Sequence, residues 1–180
     1  VNWPNFISLG RLIAVPVIIW LVLTERMQAA FWLFVAAGIS DIVDGLLARL
    51  LKERTMVGAY LDPLADKALL VGLFVTLAVR NDLPLWVVML VVFRDTLIIS
   101  GSLLLLLLHK TFTVRPLFIS KLNTFAQILL ITIVLGGSAV AYAYPQLLIE
   151  GMIYGVALTT ICSGLAYIHL WIEAMNRDGK

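Results

Sequence analysis

The chain is poor in charge, and that shortage excludes most soluble architectures. Only 13% of its 180 residues are Asp, Glu, Lys or Arg, against 62% AVILMFWYC, and the mean hydropathy is +1.02. A soluble domain carries about 25% charged and 45–50% apolar residues, and one of this size cannot hide so much hydrocarbon from water. Disorder, collagen and coiled coil are excluded by the same figures. A single cysteine, Cys162, rules out an internal disulfide or a thiolate cage and reads as apolar filler. Two histidines, His109 and His169, are too few for a histidine metal site. The net charge of +2 is too balanced to imply a nucleic-acid partner. The opening VNWPNFISLGRL lacks a basic n-region followed by a small-residue cleavage site, so neither a signal nor a transit peptide is expected there.

What is present is long apolar runs. A helix needs about 20 mostly apolar residues to cross a bilayer, and six candidates lie at 6–24, 28–50, 61–80, 84–108, 118–142 and 146–173. They are separated by Thr24-Glu25-Arg26, Lys52-Glu53-Arg54, Asn81-Asp82 before Pro84, His109-Lys110 and Pro145-Gln146. No segment repeats another and no low-complexity linker divides the chain. The expectation is an all-α integral membrane protein of six transmembrane helices, forming a single domain over 1–180. With six spans, the N-terminus, the second and fourth loops and the C-terminus share a side. That side holds Arg11, Arg49, Lys52, Arg54, Lys110, Arg115, Lys121, Arg177 and Lys180, while the other holds only Arg26 and Arg80. The bias places both termini in the cytoplasm.

Charge within the spans is the informative exception. Span two contains Asp41 and Asp44, and span three begins with Asp62 and Asp66. A carboxylate near the bilayer centre costs about 2.5–3.5 kcal/mol on the insertion scale, so each needs a reason. Asp41 and Asp44 are i,i+3, and Asp62 and Asp66 are i,i+4, so each pair shares a helix face. Asp41 is eight residues from Arg49, roughly 12 Å of helix rise, and Asp66 lies at a similar depth past the short loop. Antiparallel neighbours joined by that loop bring both pairs to one level. Four like charges so placed repel unless cations join them. Oxygen ligands without His or Cys suit Mg²⁺, Mn²⁺ or Ca²⁺, in number enough for two ions. Two other readings stay open on the acids alone: ion pairing with Arg49, Lys52, Lys67 or Arg94, and a path for a cation or proton. Gly45 and Ala48 after Asp44, with Gly58 before Asp62, clear side chains beside the acids. Arg49 adds a planar fork for phosphate. Metals, arginine and a cleared surface together describe a pyrophosphate or nucleotide site.

The run Asp41-x2-Asp44-Gly45-x2-Ala48-Arg49-x8-Gly58-x3-Asp62-x3-Asp66 resembles the signature of the CDP-alcohol phosphotransferase family at all eight fixed positions and every spacing. Chance agreement is on the order of one in ten billion at residue frequencies of about 5–8%. The resemblance implies that Asp41, Asp44 and Asp62 hold two divalent cations, Mg²⁺ or Mn²⁺, that bridge the CDP pyrophosphate. It implies that Asp66 also touches a metal and is the general base. Asp44, Gly45, Ala48, Arg49 and Gly58 would line the CDP pocket, and the family's members are usually homodimers open to the cytoplasm or matrix.

Within the family the rest of the chain is most similar to cardiolipin synthases of the eukaryotic and proteobacterial type. The resembling pieces are Asn2-Trp3-Pro4-Asn5 with Ser8 and Arg11, Leu61-Asp62-Pro63-Leu64-Ala65-Asp66-Lys67, Arg94-Asp95, and Phe118-Ile119-Ser120-Lys121-Leu122-Asn123-Thr124. The implied reaction moves a phosphatidyl group from CDP-diacylglycerol to phosphatidylglycerol, giving cardiolipin and CMP; glycerol 3-phosphate is the alternative acceptor. The implied setting is among membrane lipids, in a bacterial cytoplasmic membrane or the mitochondrial inner membrane. Arg94 and Asp95 are expected to hold the acceptor headgroup or orient a metal-site aspartate. Their side chains leave the helix about 100° apart and should not easily satisfy each other. Arg115 and Lys121 form a basic cluster at the mouth, fitted either to the acceptor phosphate or to anionic lipid.

Overall fold

The computed structural model describes residues 3–51, 56–107, 117–142 and 144–177. These contain six helices and no strand: α1 (Trp3–Leu23), α2 (Met27–Leu51), α3 (Met56–Val79), α4 (Leu85–Leu107), α5 (Phe118–Ala139) and α6 (Gln146–Arg177). Every expected span has its helix. The largest shift is at the start of α3, where Met56 rather than residue 61 opens the helix, so Gly58 joins the same element as Asp62 and Asp66. Even the 21 residues of α1 reach about 32 Å at a rise of about 1.5 Å each, enough for a hydrocarbon core of about 30 Å. The helix runs through Pro16 without interruption, with that residue exposed.

Among the described residues, Phe118–Ala139 and Gln146–Glu173 are long and apolar enough to cross a membrane, and Gly10–Leu23 and Met27–Ser40 form shorter apolar stretches. In each longer segment, only 33% of an apolar stretch of 18 residues is buried by protein. Phe118 is 80% exposed and Leu147 81%, and Phe93, Phe125, Tyr154 and Leu165 are similarly bare. Large apolar side chains exposed along successive helices fit a hydrocarbon solvent, because contiguous patches of that kind are rare on monomers in water.

One device ends α1, α3 and α5. Arg26 N–H donates to Leu21 C=O, Asp82 N–H to Leu77 C=O and Tyr142 N–H to Gly137 C=O, each at 2.9 Å and each five residues back. The residue before each donor has a positive φ: Glu25 60°, Asn81 63° and Ala141 53°. This is the Schellman arrangement, which spends otherwise orphaned helix carbonyls. None of the three is glycine. A residue with a Cβ costs about 1–2 kcal/mol in that conformation, so Ala141→Gly should stabilise the fold by about 0.5–1 kcal/mol net of the glycine's greater chain entropy. A thermal melt in detergent checks this, and an unchanged or lowered midpoint would contradict it.

The chain divides into two compact units. The first joins Val1–Leu83 to Ile131–Tyr144, and in it α1 packs against both α2 and α3. Val15, Ile18 and Val22 form the buried stripe of α1, at helical spacing, and Leu69, Leu70, Leu73, Phe74 and Leu77 that of α3. Gly72 of α3 makes room for α1: a Cβ there would lie 3.0 Å from the Ile19 side chain. Across the connections, Arg80 Nε donates to Asp82 and its Nη1 to the Val22 carbonyl, tying the end of α3 to the end of α1.

The second unit joins Pro84–Leu130 to Pro145–Lys180, with α4 packed on α6. The buried face of α4 runs Val87, Val88, Val91, Arg94 and Asp95, so its two charges continue the apolar stripe inward rather than facing lipid. Opposite lie Ile153, Val156, Ala157, Thr160, Ser163 and Tyr167 of α6. Trp171 lays its indole over Gly101, where any Cβ would collide with the ring.

Candidate active site

The backbone of α2 carries Asp41, Asp44, Gly45, Ala48 and Arg49 in one uninterrupted helix, and α3 carries Gly58, Asp62 and Asp66 in another. At about 100° per residue, the five positions on α2 fall within an arc of about 140° and the three on α3 within about 80°. Both sets thus occupy one face of their helix. The side chains of Asp41, Asp44, Arg49 and Asp62 lie outside the described residues, as does Arg115. Among the described residues no group of three or more His, Cys, Asp or Glu is gathered. As a donor set, the four acids offer only hard oxygens at i,i+3 and i,i+4 positions on real helices, which fits Mg²⁺ or Mn²⁺.

Asp66 is the member whose carboxylate is described, and its partner was not anticipated. Arg11 Nη1 donates to Asp66 Oδ1, joining α1 to α3. The arginine side chain is 2% exposed and the aspartate side chain 46%. Arg11 counted in the sequence as a flanking basic residue. The signal that it turns inward is its register: Arg11, Val15, Ile18 and Val22 follow one helical stripe, and the last three are core.

The second cluster centres on Arg94, 4% exposed. Its Nη1 donates to Asp95 Oδ1 at 2.7 Å, Nη2 to Ser120 Oγ at 2.6 Å, and Nε to Ser163 Oγ at 3.2 Å, with Nη2 also meeting Ser163. The expectation that the adjacent pair could not satisfy itself is therefore corrected. The arginine stem is long enough to carry one guanidinium nitrogen back to Asp95 while the others reach α5 and α6. The Tyr167 ring lies 5.9 Å from Arg94 Cζ, a cation–π distance. Ser163 and Tyr167 carry no sequence signal of this role, since both read as ordinary residues of an apolar helix. Lys121, next to Ser120, is exposed. Further along α5, Asn123 Oδ1 accepts from Thr159 at 2.9 Å and Thr160 at 2.8 Å, extending the polar contact between α5 and α6.

Residues 1–171 match the family described as CDP-alcohol phosphatidyltransferase. Among curated proteins, the chain is 34% identical over 184 residues to the chloroplastic CDP-diacylglycerol–glycerol-3-phosphate 3-phosphatidyltransferase 1 of Oryza sativa subsp. japonica, covering 92% of this chain and 56% of that protein. It is 29% identical over 182 residues to the cardiolipin synthase (CMP-forming) of Homo sapiens, covering 92% and 60%. It is 34% identical over 171 residues to the CDP-diacylglycerol–glycerol-3-phosphate 3-phosphatidyltransferase of Rickettsia bellii, covering 92% and 93%. The chain thus spans little more than half of the rice and human relatives and nearly all of the rickettsial one.

Proposed function

The chain belongs to the CDP-alcohol phosphatidyltransferase family, and from that premise we propose that it transfers the phosphatidyl group of CDP-diacylglycerol to a phosphoglycerol hydroxyl, releasing CMP. The observation that carries this reading is the eight-position motif, lying on one face each of α2 and α3, within a family match that covers residues 1–171. A cation or proton carrier, one of the two other readings open to the acids alone, has no such support.

Asp41, Asp44, Asp62 and Asp66 hold two divalent cations, Mg²⁺ or Mn²⁺, which when bound neutralise the pyrophosphate and the charge left on departing CMP. Arg49 presents its fork to a phosphate, and Gly45, Ala48 and Gly58 leave the helix surface low enough for the nucleotide to lie against it. Asp66 accepts the acceptor's hydroxyl proton as the new oxygen–phosphorus bond forms and the bond to CMP breaks. That transfer needs the hydroxyl within about 2.6–3.2 Å of the carboxylate. Arg115 and Lys121 meet the acceptor phosphate. Arg94 and Asp95 hold the acceptor headgroup or orient a metal-site aspartate, and Arg94 also ties Ser120 at the start of α5.

Phosphatidylglycerol is the first-choice acceptor, giving cardiolipin, and rests on Arg94-Asp95 and Ser120-Lys121. Glycerol 3-phosphate is the second reading, favoured by the name of the rickettsial relative that the chain matches over nearly its whole length. We further propose six membrane spans with cytoplasmic termini, a single catalytic domain over 1–180 acting as a homodimer, and a bacterial cytoplasmic or mitochondrial inner membrane as the host. The test is an acceptor panel: purified protein, CDP-diacylglycerol, Mg²⁺ or Mn²⁺, and each acceptor in turn, with lipid products separated by chromatography. Cardiolipin supports the first reading and phosphatidylglycerophosphate the second. Metal-dependent CMP release with neither acceptor would overturn both, and no CMP release with any alcohol would overturn the transferase reading.

A further inference from the structure

Arg11 has no part in the roles assigned above, yet it is committed to the interior more completely than Asp66, the carboxylate it meets. A charged side chain in a membrane-embedded helix is expensive and generally marks function. Here the guanidinium sits behind the carboxylate: Arg11 is 2% exposed, while 46% of the Asp66 side chain remains open. A pair serving only to tie α1 to α3 gains nothing from leaving one partner half in the open. The asymmetry suits a carboxylate held from behind and offered forward, as second-row partners hold ligands and bases elsewhere. The chemistry of the donor agrees. Arg11 reaches Asp66 through one terminal nitrogen, Nη1 to Oδ1, and a lysine ammonium, on a shorter and more flexible stem, would not hold that oxygen in the same place. A carboxylate has two oxygens and about four acceptor sites, so a bond at Oδ1 orients the group without exhausting it.

We infer that Arg11 is a positioning residue, fixing the carboxylate of Asp66 in the orientation that takes the acceptor's proton. This rests on the transferase reading and on Asp66 as its base. The test is a double-variant cycle on the purified full chain with R11K and D66E, both of which keep the charges. Turnover is assayed with CDP-diacylglycerol, Mg²⁺ or Mn²⁺ and whichever acceptor the panel identifies. R11K alone should lower kcat by about 10- to 100-fold while the KM for CDP-diacylglycerol stays within about threefold, because only orientation is lost. In the D66E background, where the carboxylate is already displaced, adding R11K should cost less than about threefold. Equal losses in both backgrounds, or a raised KM at unchanged kcat, would overturn the inference. So would R11K losing both turnover and the thermal stabilisation by CDP-diacylglycerol, since Arg11 would then serve only to hold α1 on α3. A wild-type chain that releases no CMP is a different failure, and it removes the transferase reading together with this inference.

Discussion

Asp66→Asn is expected to lower CMP release from CDP-diacylglycerol by about 100- to 10,000-fold, with affinity for CDP-diacylglycerol held within about threefold. The carboxamide is nearly the size of the carboxylate and can still meet Arg11 through its oxygen, so the contact between α1 and α3 survives. What is lost is the ability to take a proton from an alcohol, and a hydroxyl oriented beside the phosphate does not replace a base. Steady-state kinetics with the identified acceptor, together with equilibrium binding of CDP-diacylglycerol, measure the two quantities separately. Raising Mg²⁺ or Mn²⁺ should not restore turnover, which separates a missing base from a merely weakened metal site. Wild-type turnover in Asp66→Asn with binding unchanged would remove Asp66 from the chemistry.

The second large effect is on stability. Arg94→Met should destabilise the protein by about 3–5 kcal/mol, because it withdraws the guanidinium from a buried carboxylate. Asp95 is 4% exposed, and Ser120 and Ser163 lose the same partner. The double variant with Asp95→Leu should lose much less, since both charges leave together and a hydrophobic replacement of a buried pair is often close to neutral. Arg94→Lys should behave more like Arg94→Met than like the wild type, since a single ammonium cannot bridge α4, α5 and α6 as the fork does. Detergent-stable unfolding curves for the three variants give the order. If the double variant proves as unstable as Arg94→Met, the cost lies in lost packing rather than in a stranded charge.

The helices were legible because their cause is local. Backbone groups in hydrocarbon must bond within their own segment, so a run of some 20 apolar residues has little choice of structure, and the polar interruptions at 24–26, 81–82 and 145–146 mark the ends. The acids were legible for a related reason: a charge that composition should forbid stands out, and its spacing around a helix is periodic. Helix ends were less legible. Residues 56–60 extend α3 beyond the expected span, since helical hydrogen bonding continues past the limit that hydropathy sets. The partners were not legible. Ser163 and Tyr167 are 69 and 73 residues from Arg94, and nothing in the local pattern of α6 points to a guanidinium there.

The amino-acid order by itself determined six helices, their breaks, and which acids share a face, because each depends on neighbours within a few residues along one axis. Only the tertiary structure decided that Arg11 turns away from the surface charges to meet Asp66, and that Arg94 divides its donors among three helices. A long, flexible basic side chain has several carboxylates and hydroxyls within reach in sequence terms. Which of them it meets depends on how helices far apart in the chain lie against one another.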